Sequence, residues 1–222
     1  MMRAACFLTG AFVLAAAWLL PLEALLPGAF TAHMARHMAV VAIAAPLVAL
    51  AIAGGRFDPA RRFPSLGAAV GASLVELVIV WVWHAPLLHA LARTSSAAFA
   101  AEQGTFFFGG LLVWSLAIGG NGDIPRAAAG LVALLLTSMH MTLLGALLAL
   151  APRPLYDHAA HAGGTLAALA DQEVGGAIML TVGGAAYLAG ALALAARTVR
   201  QRSGTVTALR PQAARAAAEG SA

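Results

Sequence analysis

The sequence predicts an all-α, polytopic membrane bundle of about six spans with both termini cytoplasmic. Three observations carry that expectation. Hydrophobic residues make up 61% of the 222 positions and charged residues only 10%; several apolar runs exceed what a soluble core helix needs; and the cationic residues flank those runs. Residues 1–196 are read as the transmembrane domain and 197–222 as a basic, disordered cytoplasmic tail.

Taken in order, Arg3 followed by the apolar run Ala4 to Leu20 reads either as a short first span or as the first two regions of a signal peptide. No clean small-x-small cleavage site follows, which favours a retained span. After a loop from Leu22 to Ala32, a second span runs from His33 to Gly54, with Pro46 expected to kink it. The polar segment Gly55 to Pro64 (GRFDPARRFP) ends it. A third span covers Leu66 to Leu88, with Glu76 in its middle and Trp81, Trp83 and His84 near its end. A fourth runs from Ala97 to Ile118 and carries Glu102 and Gln103 in its second turn. The turn Gly119 to Pro125 leads to a fifth span, Ala127 to Leu150, containing Met139, His140 and Met141. A longer loop, Ala151 to Asp171, holds His158 and His161, and the sixth span runs from Gln172 to Ala196.

The arginines orient this bundle. All 13 cationic residues are Arg, and Arg3, Arg56, Arg61, Arg62, Arg126, Arg197, Arg200, Arg202, Arg210 and Arg215 share one side. Under the positive-inside rule that side is cytoplasmic. His33, His37, His84, His89, Glu102, His158, His161 and Asp171 then fall at or near the outer face. His140 lies deeper, about 15 Å below the outer end of its span at 1.5 Å per residue. Glu76 lies at a comparable depth, where an ionisable group is costly and faces the bundle interior. Glu76 and His140 are expected either to hydrogen-bond each other or to serve in moving a proton or metal ion.

Composition also excludes function classes. No aromatic–basic interleaving suggests nucleic-acid binding. The single cysteine, Cys6, rules out an intramolecular disulfide, a CxxC pair and a thiolate cage. No G-x-S-x-G or H-E-x-x-H string is present, so no hydrolase signature appears. Metal binding would have to use His, Met and carboxylate. In HMARHM, a helix advancing about 100° per residue puts His33 and His37 on one face and Met34 and Met38 on the adjoining one. Imidazole and thioether together are a neutral, soft ligand set of the kind cuprous copper prefers.

Five segments, HMARHMAVVAIAAP (33–46), WVWHAPLLHAL (81–91), AAEQGTFFFGGLLVW (100–114), LLGALLALAPRPLY (143–156) and DQEVGGAIM (171–179), together resemble the multi-pass CtaG-type cytochrome c oxidase assembly factors. This is the integral membrane family, distinct from the single-span copper chaperone that shares the name. The segments cover five of the six predicted spans in the family's order. The resemblance implies a bacterial inner (plasma) membrane protein with outward-facing histidines that helps deliver copper to haem-copper oxidase subunits. Residue by residue it points to His33, His37, Trp83, His84, Asp171, Gln172 and Met179. Two positions depart from the family pattern: Gln103 stands where members carry His, and His89 where they often carry Tyr. Glu102 could then substitute as the fourth-span ligand. The family core commonly has seven spans.

On this reading the outer ends of spans two, three and six converge. His33 and His37 supply a pair of nitrogens and His84 a third, while Asp171 is either an oxygen ligand or the acceptor that fixes a histidine tautomer. Met34, Met38 and Met179 add thioethers, with His140 deeper and Glu76, Trp83, Glu102 and Gln172 in support. Arg36 is expected to snorkel to lipid phosphate or to pair with Asp171 or Glu102. A periplasmic copper chaperone could load such a site. Two other functions compete. A copper transporter would need polar residues continuing inward below His140, and there are almost none. A haem-b electron carrier would need histidines at matched depth, and His84 and His140 differ by about two turns.

Overall fold

In the computed structural model, residues 1–119, 124–156 and 166–219 are described, with side chains as far as Gln201. All regular structure among them is helical. Helix α1 spans Met2–Leu19 and a single turn, α2, spans Leu22–Leu25. Helix α3 (Ala29–Met38) continues through a π-helical turn, Ala39–Ala44, into α4 (Ala45–Ile52). A 3₁₀ turn at Pro59–Arg61 precedes α5 (Leu66–Trp83), and α6 (Pro86–Thr94) and α7 (Ser96–Ile118) follow. Helix α8 spans Ile124–Ala149; α9 (Ala168–Ile178) runs through a second π turn, Met179–Gly183, into α10 (Gly184–Glu219).

Among the described residues, five helical stretches are long and apolar enough to cross a membrane: Met2–Leu19, Ala29–Ile52, Leu66–Trp83, Ile124–Ala149 and Ala168–Gln201. The predicted fourth span, α7, is a 23-residue helix that falls short on hydropathy, because Glu102 and Gln103 sit in its second turn. The arginine-rich loops do share one end of the bundle. Arg3 reaches Gly54, and Asp58 packs against Gly119.

Several boundaries differ from expectation for identifiable reasons. The second span begins four residues earlier, at Ala29, because its first turn is capped from elsewhere in the chain. Pro46 lacks an N–H and its ring crowds the carbonyl four residues back, and the wide turn at Ala39–Ala44 absorbs that misfit. The third span stops at Trp83 instead of Leu88. Ala85, which precedes Pro86, is extended (φ −64°, ψ 131°), and Pro86 opens a new helix. Beyond Ala196 the backbone of α10 stays helical to Glu219. A stretch rich in Ala, Arg, Gln and Leu has high helix propensity.

The core is a packed column around α8, which contacts α5, α7, α9 and α10. Its contact with α9 is close enough to require glycine. A Cβ on Gly145 would lie 2.6 Å from the Leu180 nitrogen, and one on Gly176 would lie 2.5 Å from the Ala149 nitrogen. Helix α1 is peripheral, burying only Gly10 and Ala17.

Candidate metal centre

The centre is built on the first two turns of α3. The backbone N–H groups there have no partner within the helix, and Asp171, at the start of α9, supplies one. Its Oδ2 accepts from Phe30 N at 2.9 Å, and its Oδ1 accepts from Thr31 N at 2.8 Å and from Thr31 Oγ1 at 2.6 Å. Asp171 thus caps α3 across a separation of 140 residues, and both oxygens are engaged in doing so. Gln172 performs a similar tie: its Oε1 accepts from Leu155 N at 2.6 Å and its Nε2 donates to Leu148 O at 3.1 Å. Trp83 donates from Nε1 to Thr105 Oγ1 at 2.9 Å, holding α5 to α7.

With α3 fixed in this way, four imidazoles converge from three places: His33 and His37 on α3, His84 at the C-terminus of α5 and His89 on α6. None is more than 4% exposed. Ring centres lie 4.6 Å apart for His33–His89, 5.5 Å for His33–His84, 5.4 Å for His37–His84 and 6.4 Å for His33–His37. Two imidazoles bound to one ion through nitrogens at about 2 Å place their centres about 5 Å apart. The first three spacings are close to that. Phe106 packs against His37 at 4.1 Å and walls the cluster on one side; Phe30, stacked on Tyr156 at 4.5 Å, walls it on another. The Tyr156 hydroxyl donates to the His84 carbonyl at 2.7 Å, and burial pushes that hydroxyl above its ordinary range.

The nitrogens are available. Neither ring nitrogen of His33 or His37 has a hydrogen-bond partner, nor does Nε2 of His84. Buried polar atoms are normally paired, so this many orphans in one place favours a ligand. Among the described residues, the group whose ligand atoms all approach within 4.8 Å of one another is His33, His89 and Glu102. His37 and His84 adjoin that group by ring contact.

Two ion pairs border the chamber. Arg93 on α6 donates to Glu102 Oε2, which also accepts from Gln103 Nε2 at 3.0 Å. Arg36 turns away from the imidazoles. It donates to Glu23 from both terminal nitrogens, at 2.8 and 3.1 Å, and from Nε to Ala17 O at 2.9 Å. This corrects the expected pairing with Asp171 or Glu102. Phe99 lies between the two guanidinium groups, 5.4 Å from Arg36 and 5.3 Å from Arg93.

The remaining predicted residues lie apart from the four rings. Met34 packs on Gly175, and the Met38 sulfur lies against Gly183. Their thioethers therefore face the α9 side, where the buried Met179 also lies. His140 is buried on α8 with both ring nitrogens unpartnered. Glu76 does not pair with it. Glu76 Oε1 accepts from the Tyr187 hydroxyl at 2.6 Å, and Tyr187 stacks on Trp114 at 5.0 Å. His158 and His161 lie outside the described residues.

His89 and Arg93 are not among the residues expected at the site. Their signal is Pro86, which starts a short helix two residues after His84 and folds the next two turns back over the chamber.

No curated protein and no solved structure matches the chain. The family model described as cytochrome c oxidase caa3 assembly factor matches residues 1–201, and the helical architecture and apolar spans fit a membrane-embedded member. With nearly the whole helical bundle inside that match, the chain belongs to the cytochrome c oxidase caa3 assembly factor family.

Proposed function

We propose that this assembly factor holds copper as its cargo in the chamber lined by His33, His37, His84 and His89, and passes it to a haem-copper oxidase subunit. The observation that carries the reading is the set of buried imidazole nitrogens of His33, His37 and His84 without hydrogen-bond partners, brought together from α3 and the C-terminal end of α5. Neutral imidazole suits copper and exchanges readily, which a delivery protein requires. The aromatic walls of Phe30, Phe106 and Tyr156 keep the site dry without supplying competing ligands. The direction of transfer follows from the positive-inside orientation, which puts the chamber at the outer face.

Elemental analysis of the detergent-purified protein tests this. The wild type is expected to retain copper, and the H33A/H37A/H84A variant is expected to lose it while still eluting as a monodisperse species. Unchanged metal content in that variant would overturn the reading. So would a haem Soret band in the purified wild type.

A further inference from the structure

The deeper part of the chamber offers only nitrogen, whereas its border offers a carboxylate. Glu102 is fully buried, and its Oε1 has no hydrogen-bond partner. Its other oxygen, Oε2, lies 3.9 Å from His33 Nδ1. Ligand atoms from His33, His89 and Glu102 all fall within 4.8 Å of one another, although these residues come from three different helices. Two imidazoles and one carboxylate form a borderline-hard donor set that suits a divalent transition-metal ion, unlike the all-imidazole or thioether sets suited to cuprous copper.

A buried carboxylate also needs a cation beside it. Here that cation is Arg93, whose side chain is 19% exposed while Glu102 is wholly enclosed. Arg93 therefore stands between the carboxylate and the outside, laid over Phe99. Its Nε has no hydrogen-bond partner, so the guanidinium is held through one edge only. Any cation reaching Glu102 from that side meets Arg93 first and competes with it for the same oxygen.

We propose that His33, His89 and Glu102 form a divalent transition-metal subsite at the mouth of the chamber, with Arg93 as the counter-cation that the incoming ion displaces. This rests on the chamber reading above only in sharing His33 and His89. The subsite would take the ion in its divalent form, and His37 and His84 would line the nitrogen-only region beyond it.

The test uses the full-length protein in detergent micelles, titrated with Cu(II) ions alone without reductant. Binding is followed by electron paramagnetic resonance and by competition with a chelator. The wild type is expected to give one Cu(II) signal with coupling to two imidazole nitrogens. E102Q and H89F should each weaken Cu(II) binding by about tenfold or more, the scale set by loss of a ligand or its close support. R93Q should strengthen binding by about tenfold, since it removes the competitor and leaves the carboxylate. A gain of affinity is a result that misfolding does not imitate.

Binding indifferent to E102Q, a four-nitrogen spectrum, or weakening in R93Q equal to that in E102Q would each overturn the subsite. Separate Cu(I) retention measurements on H37A/H84A keep the two proposals distinguishable. Cu(I) loss in that variant together with Cu(II) binding indifferent to E102Q overturns the subsite alone. The expected Cu(II) pattern with no Cu(I) retention even in wild type supports the subsite and overturns the chamber reading.

Discussion

His84 Nδ1 lies 2.6 Å from the carbonyl oxygen of Val80 one turn earlier on the same helix. A carbonyl can only accept, so Nδ1 carries the proton and Nε2 keeps its lone pair. The ring is thereby fixed in the tautomer a metal ligand needs, with the orienting group supplied by the backbone. His84 is also the C-terminal cap residue of α5, at φ −87° and ψ −2°, so its position is set by the break that Pro86 imposes.

This makes His84 the most informative single substitution for copper. H84A should lower Cu(I) affinity by about tenfold or more, measured by chelator competition on purified protein. H84F, which keeps the packing against Phe106 without the nitrogen, should show the same loss with little change in thermal midpoint.

Asp171 leads to the opposite expectation. Its carboxylate takes two backbone N–H groups and a hydroxyl at the start of α3, and it is 4% exposed. D171A should destabilise the fold by about 2 kcal/mol or more, combining loss of a cap with unpaired buried donors. D171N keeps an acceptor and should fall between. Among molecules that remain folded, copper affinity should change little, which a ligand role for Asp171 would not allow.

The contrast shows what the sequence could convey. The spacing of His33 and His37 on one helical face, with Met34 and Met38 on the next, is local geometry, and the structure keeps it. The apolar runs located the spans to within a few residues for the same reason. Long-range partners left no local trace. Nothing in the string shows that Asp171 caps a helix 140 residues away, that Arg36 selects Glu23, or that Glu76 pairs with Tyr187 in place of His140. The break at Pro86 was readable in principle. An apolar run through Leu87 and Leu88 concealed it, and with it the return of His89 and Arg93 to the site.

The α8–α9 contact gives a packing prediction. A methyl group on Gly176 would meet the Ala149 backbone nitrogen at 2.5 Å, and one on Gly145 would meet the Leu180 nitrogen at 2.6 Å. Backbone atoms cannot swing aside, so the helices must separate. Either G145A or G176A should cost about 1–3 kcal/mol. Because both relieve strain by the same separation, the double variant should cost less than the sum. Thermal unfolding in detergent of the three variants measures this, and strict additivity would mean that the two glycines do not share a contact.

The Arg36–Glu23 pair gives a pH prediction with a definite sign. Partial burial works to raise the Glu23 carboxyl, but the hydrogen bonds from Arg36 and the nearby Arg36 and Arg93 charges outweigh it. Together they hold the carboxyl below its ordinary value of 4.5. A group whose folded-state pKa is depressed contributes stability above its unfolded value and loses it as pH falls through the lower folded value. The contribution should therefore be complete at neutral pH and disappear below about pH 4.5. Glu23 is 42% exposed, so solvent screening limits the pair to about 1 kcal/mol or less. In thermal unfolding, wild type should exceed E23Q at pH 7 and the gap should close as pH falls below about 4.5. Raising the salt concentration at pH 7 should narrow the same gap, whereas a difference due to packing alone would be insensitive to both salt and acid.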